Sequence, residues 1–142
     1  MLKEMGIKAR QAAVVLAEST DELRAGALIR MAERLVEDTE HILIANRRDL
    51  EAAAQTGMAQ AMMDRLALTP DRVNGMAQGL REAAALPDPL GEILWEDDRP
   101  NGLHIRRVSV PLGVIAVIFE ARPNVVSDAA GLCLRAGNAC IL

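Results

Sequence analysis

Apolar residues recur at helical spacing through the first half of the chain, and extended apolar runs replace them in the last third. Met5, Ala9, Ala12, Ala13 and Leu16 fall at i, i+4, i+7, i+8 and i+11, one stripe along a first helix. Ala25, Leu28, Ile29, Ala32, Leu35 and Val36 repeat the stripe. Ahead of them, Ser19-Thr20-Asp21-Glu22 has the S-x-x-E form of a capping box, in which Ser19 and Glu22 satisfy each other's free backbone N–H groups. A third helix is expected from about Asp38 to Gln55, with Gly57 as a left-handed cap. Thr69-Pro70 predicts a cap and a first helical residue, because proline there lacks an N–H that would have no partner anyway. Pro87 and Pro89 stop that helix at the turn "LPDPLGE".

The period then changes. "EILWEDDRPNGLHIRRVSV" carries two extended runs around Arg99-Pro100-Asn101-Gly102, and the Asn-Gly pair predicts a hairpin with strands near 91–98 and 102–109. Pro111 and Gly113 bend the chain. "VIAVIF", Val114 to Phe119, is a continuous β-branched and apolar run of the kind expected in a strand covered on both faces. Ser127 is placed as the cap of a helix running to Arg135-Ala136, Gly137 closes it, and "NACIL" resumes as a strand. Strand, helix, strand predicts a βαβ unit with a right-handed crossover. Two strands do not make a covered parallel sheet, so the sheet is expected to continue beyond Leu142.

The apolar strand stops at Glu120-Ala121-Arg122-Pro123-Asn124. Ligands of open α/β sheets bind outside the carboxyl ends of the strands, which is where this cluster falls. The Arg122 guanidinium suits a phosphate or carboxylate, the Asn124 amide suits a developing oxyanion, and Glu120 suits a ribose or an amine. An equally open reading has Glu120 and Arg122 pairing with neighbouring elements and Pro123-Asn124 as a plain turn. Asp128, in the first turn of the following helix, would repel an anion drawn there by the helix dipole. Neither G-x-G-x-x-G nor G-x-x-x-x-G-K-[ST] is present to cradle phosphates.

Composition narrows the classes. The 142 residues suffice for a core. The net charge is −4, and Lys3 and Lys8 are the only lysines among 16 basic residues, so no basic face tracks nucleic acid. Trp95 and Phe119 offer no stacking platform for bases. No run approaches a membrane span and the N-terminus does not resemble a signal peptide, so the protein is read as soluble and cytoplasmic, with no nucleic-acid and no membrane partner. Cys133 and Cys140 lack zinc-ligand spacing and are read as small core residues, with no metal site. His41 and His104 have no carboxylate or nucleophile at a working spacing and are given structural roles.

"RPNGLHIRRVSVPLGVIAVIFEARPNVVSDAAGLCLRAGNACIL" closely resembles the glutamate-5-semialdehyde dehydrogenase (gamma-glutamyl phosphate reductase) family of the aldehyde dehydrogenase superfamily. "NRRDLEAA" from Asn46, "DRLALTPDRV" from Asp64 and "ALPDPLGEIL" from Ala85 extend the resemblance over nearly the whole chain, which looks like the first third of such proteins. The resemblance implies an α/β, aldehyde-dehydrogenase-like fold. Residues 1–90 would be the helical part of the cofactor domain, 91–110 a hairpin used as an oligomerisation arm, and 111–142 the start of a Rossmann-like sheet, with the catalytic domain absent.

It further implies NADPH-dependent reduction of L-glutamate 5-phosphate to the semialdehyde with release of phosphate, the second step of proline biosynthesis. The nucleophilic cysteine of that chemistry lies downstream of this chain, and Cys133 and Cys140 do not match its motif. Phe119, Glu120 and Ala121 would line the cofactor cleft near the nicotinamide, Asn124 would supply an oxyanion donor, and Arg122 would meet the acyl-phosphate or the terminal carboxylate of the substrate. Homo-oligomers, dimers or larger, would form through the hairpin, Ile93 to Val108. This chain alone is expected to be inactive. The competing class is a non-catalytic helical domain whose protruding hairpin and open sheet edge serve assembly or regulation of another chain.

Overall fold

The computed structural model describes residues 2–142. In chain order its elements are α1 (Leu2–Ala17), α2 (Asp21–Glu37), α3 (Thr39–Gln55), α4 (Gln60–Leu66), α5 (Pro70–Ala85), β1 (Ile93–Asp98), β2 (His104–Val108), β3 (Val114–Ala116), α6 (Asn124–Arg135) and β4 (Ala139–Ile141). The architecture is α/β and mostly helical, with one antiparallel pair, β1–β2, and one parallel pair, β3–β4. Among the described residues no helix is long and apolar enough to cross a membrane.

Helices α2 and α5 make the core. Leu28 and Ala32 of α2 meet Ala77, Leu80, Ala83 and Ala84 of α5, with Leu134 of α6 packed against them. Alanine dominates this seam, which lets the helix axes approach closely, while each fully hidden large side chain such as Leu28 or Val73 contributes about 1.5–3 kcal/mol. α5 and α6 also meet closely, at Gly131. A Cβ on Gly131 would lie 2.5 Å from Leu80 Cδ2, so any larger residue there requires Leu80 to move.

Several expectations hold. Gly57 and Gly137 take left-handed φ of 73° and 68°. Thr69 caps α5, accepting from the Arg72 N–H at 3.2 Å, with Pro70 at the start of the helix. β3 and β4 pair in parallel with Ile115 opposite Cys140, and α6 lies between them in sequence.

Others are corrected. The cap of α2 is Thr20, whose Oγ1 accepts from the Leu23 N–H, whereas the Ser19 hydroxyl donates to Leu16 O at 2.6 Å and closes α1. The N-terminal stripe is also weakly used, for only Ala13 of α1 is buried. α4, which no periodic apolar pattern announced, is a single short helix of 7 residues.

The strand expected over 114–119 spans only Val114–Ala116, because its partner β4 offers three residues. After the Val117 N–H bonds to Ile141 O, no ladder remains. Within this chain Val114 is 39 % and Ile118 99 % exposed. α6 begins at Asn124, because Pro123 already holds φ at −58° in the helical range. Ser127 is therefore inside the helix, where its hydroxyl turns back to Asn124 O at 2.8 Å.

In the hairpin, the Gly102 N–H bonds to Arg99 O at 2.9 Å and the Arg99 N–H to Leu103 O at 2.8 Å. Gly102 alone in this loop has positive φ, since Pro100 forbids the two-residue primed turn that Asn-Gly would otherwise favour. Strand pairing sets Asp98 opposite His104, so His104 does meet carboxylates: Nδ1 lies 2.6 Å from Asp98 Oδ1 and Nε2 3.7 Å from Glu96.

Two buried arginines tie the helices together. Arg24, 3 % exposed, donates from Nη2 to both oxygens of Asp88 at 2.8 and 2.7 Å and from Nη1 to Ser19 O. Arg135, at the end of α6, pairs with Asp21 and donates to Leu86 O. Burial alone would raise the Asp88 carboxyl, but the Leu90 N–H, the Arg24 guanidinium and the charge of Arg135 hold it below the ordinary carboxylate value.

Candidate active-site cleft

A cleft of about 520 Å³ opens where the end of the β3–α6 loop faces α4 and the start of α5. Its charged and amide lining comes from Asp64, Arg65, Arg72, Arg122, Asn124 and Asp128. Two buried amides hold the neighbouring backbone. Asn46 of α3, 5 % exposed, donates to Leu66 O at 2.9 Å and accepts from the Leu68 N–H at 2.7 Å, which fixes the α4–α5 connection. Asn138, 4 % exposed, accepts from the Gly113 N–H at 2.7 Å and donates to Ala136 O at 3.0 Å, which fixes the entry to β3 against the end of α6.

Arg72 braces the first wall by donating to Asp64 O at 2.7 Å and to Ala67 O. On the second wall, Ala121 sits at φ 47°, a left-handed backbone that costs an alanine about 1–2 kcal/mol. The Val125 N–H then bonds to Arg122 O at 3.1 Å as the chain turns into α6. The Asn124 amide donates to Asp128 Oδ2 at 3.0 Å and retains a second N–H.

Of the residues singled out by sequence, Arg122 and Asn124 meet in this cleft with Arg65 and Arg72 of the helical half. Phe119, Glu120 and Ala121 lie outside its lining. Phe119 is 37 % exposed beside the exposed Ile118, an apolar surface at the end of β3. Neither Glu120 nor Arg122 forms an ion pair among the described residues, so the reading in which they tie neighbouring elements together is not the one observed. An apolar groove of about 730 Å³, lined by Met31, Leu35, Ile42, Leu80 and Val126, continues from the cleft past Leu68, Met76 and Pro123.

The cysteines are away from the cleft. Cys133 is buried and Cys140 half-buried, both as free thiols. Burial, with a hydrogen bond that the Cys133 S–H donates to Cys140 and the charge of Cys140, pushes the Cys133 thiol up to about 11, so it is neutral and inert at neutral pH. Among the described residues, no group of three His, Cys, Asp or Glu could hold a metal ion. Sequence reasoning missed Asn46, Arg65 and Arg72, since a polar residue in a helical heptad reads as solvated face. The available signals were the resemblance segments "NRRDLEAA", which begins at Asn46, and "DRLALTPDRV", which contains both arginines.

No protein-family model matches the chain. Among curated proteins it is 54 % identical over 142 residues to the gamma-glutamyl phosphate reductase of Brucella anthropi, covering 100 % of this chain and 33 % of that protein. It is 52 % identical over 141 residues to that of Xanthomonas campestris pv. campestris strain B100, covering 34 % of it. Among solved structures, the gamma-glutamyl phosphate reductase of Thermotoga maritima superposes with a TM-score of 0.95 at 39 % identity, over 98 % of this chain and 34 % of that one. That of Saccharomyces cerevisiae superposes with 0.93 at 34 % identity, over 98 % and 35 %. The chain thus spans about a third of the length of the relatives it matches. Along essentially all of its own length, in sequence and in fold, this chain is similar to these gamma-glutamyl phosphate reductases over about a third of theirs.

Proposed function

We propose that this chain is the first third of an enzyme that reduces L-glutamate 5-phosphate to L-glutamate 5-semialdehyde with release of phosphate, the second step of proline biosynthesis, in the cytoplasm. The observation that carries this reading is the 54 % identity, spread over the whole chain, to a gamma-glutamyl phosphate reductase, together with the superposition on solved reductases. The cleft supports it, because an arginine-lined wall next to an asparagine amide suits an anionic substrate whose carbonyl oxygen gains charge during reaction.

In this reading Arg122 binds the substrate and the second N–H of Asn124 points an amide at the developing oxyanion. The exposed apolar surface at Phe119, with Glu120 and Ala121, fits the flat nicotinamide end of a cofactor, but no described loop here offers the glycine-rich cradle a pyrophosphate needs. NADPH supplies the hydride when bound. The pyrophosphate site and the nucleophilic cysteine then belong to the remaining two thirds. Residues 1–90 are the helical part of the cofactor domain, 91–110 an arm for homo-oligomers, and 111–142 the start of a Rossmann-like sheet. This chain alone is inactive.

The test is the intact mass of the protein from its natural source, with a phosphate-dependent assay of NADP⁺ reduction using the semialdehyde. A mass near three times 15.3 kDa with turnover supports the reading. A mass of 15.3 kDa without turnover overturns it in favour of an assembly role, for which the exposed hairpin is the available feature.

A further inference from the structure

Cys133 and Cys140 are the cysteines of this chain, and the chemistry of the cleft uses neither. The end of α6 brings them together. Gly137, at φ 68°, reverses the chain, with its N–H bonded to Leu134 O at 3.0 Å and the Asn138 N–H bonded to Cys133 O at 2.8 Å. A helix that ends on a left-handed glycine in this way leads the chain back past its own last turn, so β4 returns along the turn that carries Cys133. The reversal is held from outside. A Cβ on Gly137 would lie 2.8 Å from Leu90 Cδ1 and 3.0 Å from Pro111 Cγ, and the buried Asn138 accepts from the Gly113 N–H at 2.7 Å. Across it the Cys133 S–H donates to the Cys140 sulfur. The two thiols differ in access: Cys133 is buried, whereas Cys140 is half-buried and lines a hollow of about 470 Å³ between α1 and α6, walled by Met5, Ala9 and Leu134.

We infer that Cys133 and Cys140 are a peroxide-responsive pair, in which Cys140 is oxidised and Cys133 resolves it, closing a reversible disulfide between α6 and β4. Cys140 attacks one oxygen of hydrogen peroxide and the O–O bond breaks. Its sulfur becomes a sulfenic acid, and the other oxygen leaves as water with the proton of the thiol. The Cys133 sulfur then attacks the sulfenic sulfur, the S–O bond breaks, and the Cys133 proton leaves with the hydroxyl as a second water. Two thiols lose two electrons and two protons, and one peroxide is reduced to two waters. Exposure divides the roles. A reagent in solution reaches Cys140 first, while Cys133, shielded from solution, has the sulfenic acid as the electrophile beside it. Once closed, the bond fastens the last turns of α6 to the strand paired with β3, and a dithiol reopens it. The inference goes beyond the reductase reading and rests on no part of it.

The test is non-reducing peptide mapping of the complete folded protein before and after exposure to hydrogen peroxide. Trypsin cleaves after Arg135, between the two cysteines, so a linked pair of peptides reports the bond, and dithiothreitol is expected to abolish it. Cys133→Ala is expected to leave Cys140 as a sulfenic acid that dimedone traps, and Cys140→Ser to leave Cys133 a free thiol after the same exposure. Unchanged far-ultraviolet circular dichroism verifies the fold of each variant. Linked peptides in the wild type, with the dimedone adduct in Cys133→Ala, support the pair. Cys140 recovered as an unlinked sulfinic or sulfonic acid, Cys140 joined to any other cysteine, or both thiols unmodified overturns it. A link that forms only in urea also overturns it, since the folded arrangement is then not what joins the two.

Discussion

Arg24 and Asp88 are 64 positions apart and joined by two hydrogen bonds of 2.8 and 2.7 Å, from one guanidinium nitrogen to both carboxylate oxygens. The pair links the first turn of α2 to the turn after α5, and Asp88 also accepts from the Leu90 N–H at 3.1 Å, so the same carboxylate shapes the exit toward the hairpin. Removing either partner breaks more than one contact. Arg24→Met is expected to lower stability by about 2–3 kcal/mol, somewhat less than a fully buried pair because Asp88 keeps 30 % of its surface in water. Asp88→Asn should cost about 1–3 kcal/mol, and the double variant less than the sum of the two. Urea denaturation of the three variants measures this.

The same carboxylate sets an acid limb. Its folded-state value is held below the ordinary one, so the unfolded chain binds the proton more readily. The stabilisation is fully present above the ordinary carboxylate value of about 3.9 and is lost as pH falls through the folded value. Between pH 7 and pH 3 the wild type is expected to lose more stability than Asp88→Asn does. Parallel loss in both proteins would show that Asp88 is not a source of the acid sensitivity.

Gly131→Ala tests the close approach of α5 and α6. The new Cβ would meet Leu80 Cδ2 at 2.5 Å, and Leu80, only 2 % exposed, has little room to rotate away. Overpacking of this kind costs about 1–3 kcal/mol, against the gain of up to about 1 kcal/mol that alanine ordinarily brings to a helix. A net fall in the thermal midpoint is expected. A rise would mean that Leu80 repacks freely.

Thiol labelling reads the α6–β4 contact. With Cys133 buried and its thiol pushed up to about 11, iodoacetamide at pH 8 should modify Cys140 well before Cys133. Mass spectrometry of the digested protein gives the order. Equal rates would indicate that β4 detaches from α6 on the labelling timescale.

What could be read in advance follows the range over which each feature is determined. Caps and stops are local: Thr69-Pro70, Gly57 and Gly137 act through their own backbone angles, so three helix boundaries were legible residue by residue. The cap of α2 was misplaced by one position because Ser19 and Thr20 are chemically equivalent caps. What decides between them is tertiary, since Arg24 holds Ser19 O while the Ser19 hydroxyl is turned back to Leu16. The extent of β3 was not legible, because the length of a strand is set by its partner, and the partner lies beyond a helix.

In the cleft, Arg122 and Asn124 were visible because they interrupt an apolar run. Arg65 and Arg72 were not, because they sit among polar residues on helices whose facing only the packed structure reveals. Asn46 and Arg135 were hidden for the same reason: nothing in "NRRDL" or "CLRAG" separates a buried bracket from a solvated side chain.

α6 has its first residue at the cleft and its last clamped by Arg135 to Asp21 and to Leu86 O. Twelve residues at about 1.5 Å each make this helix a rod roughly 18 Å long, clamped at its last residue and packed on α5 near Gly131. A pivot of about 3° at the clamp would swing Asn124 and Asp128 by up to roughly 1 Å, enough to turn a sound hydrogen bond into none. The alignment of the cleft is therefore calibrated from its far end, and substitutions at Asp21 or Arg135, touching no ligand, should act on binding as a change of aim.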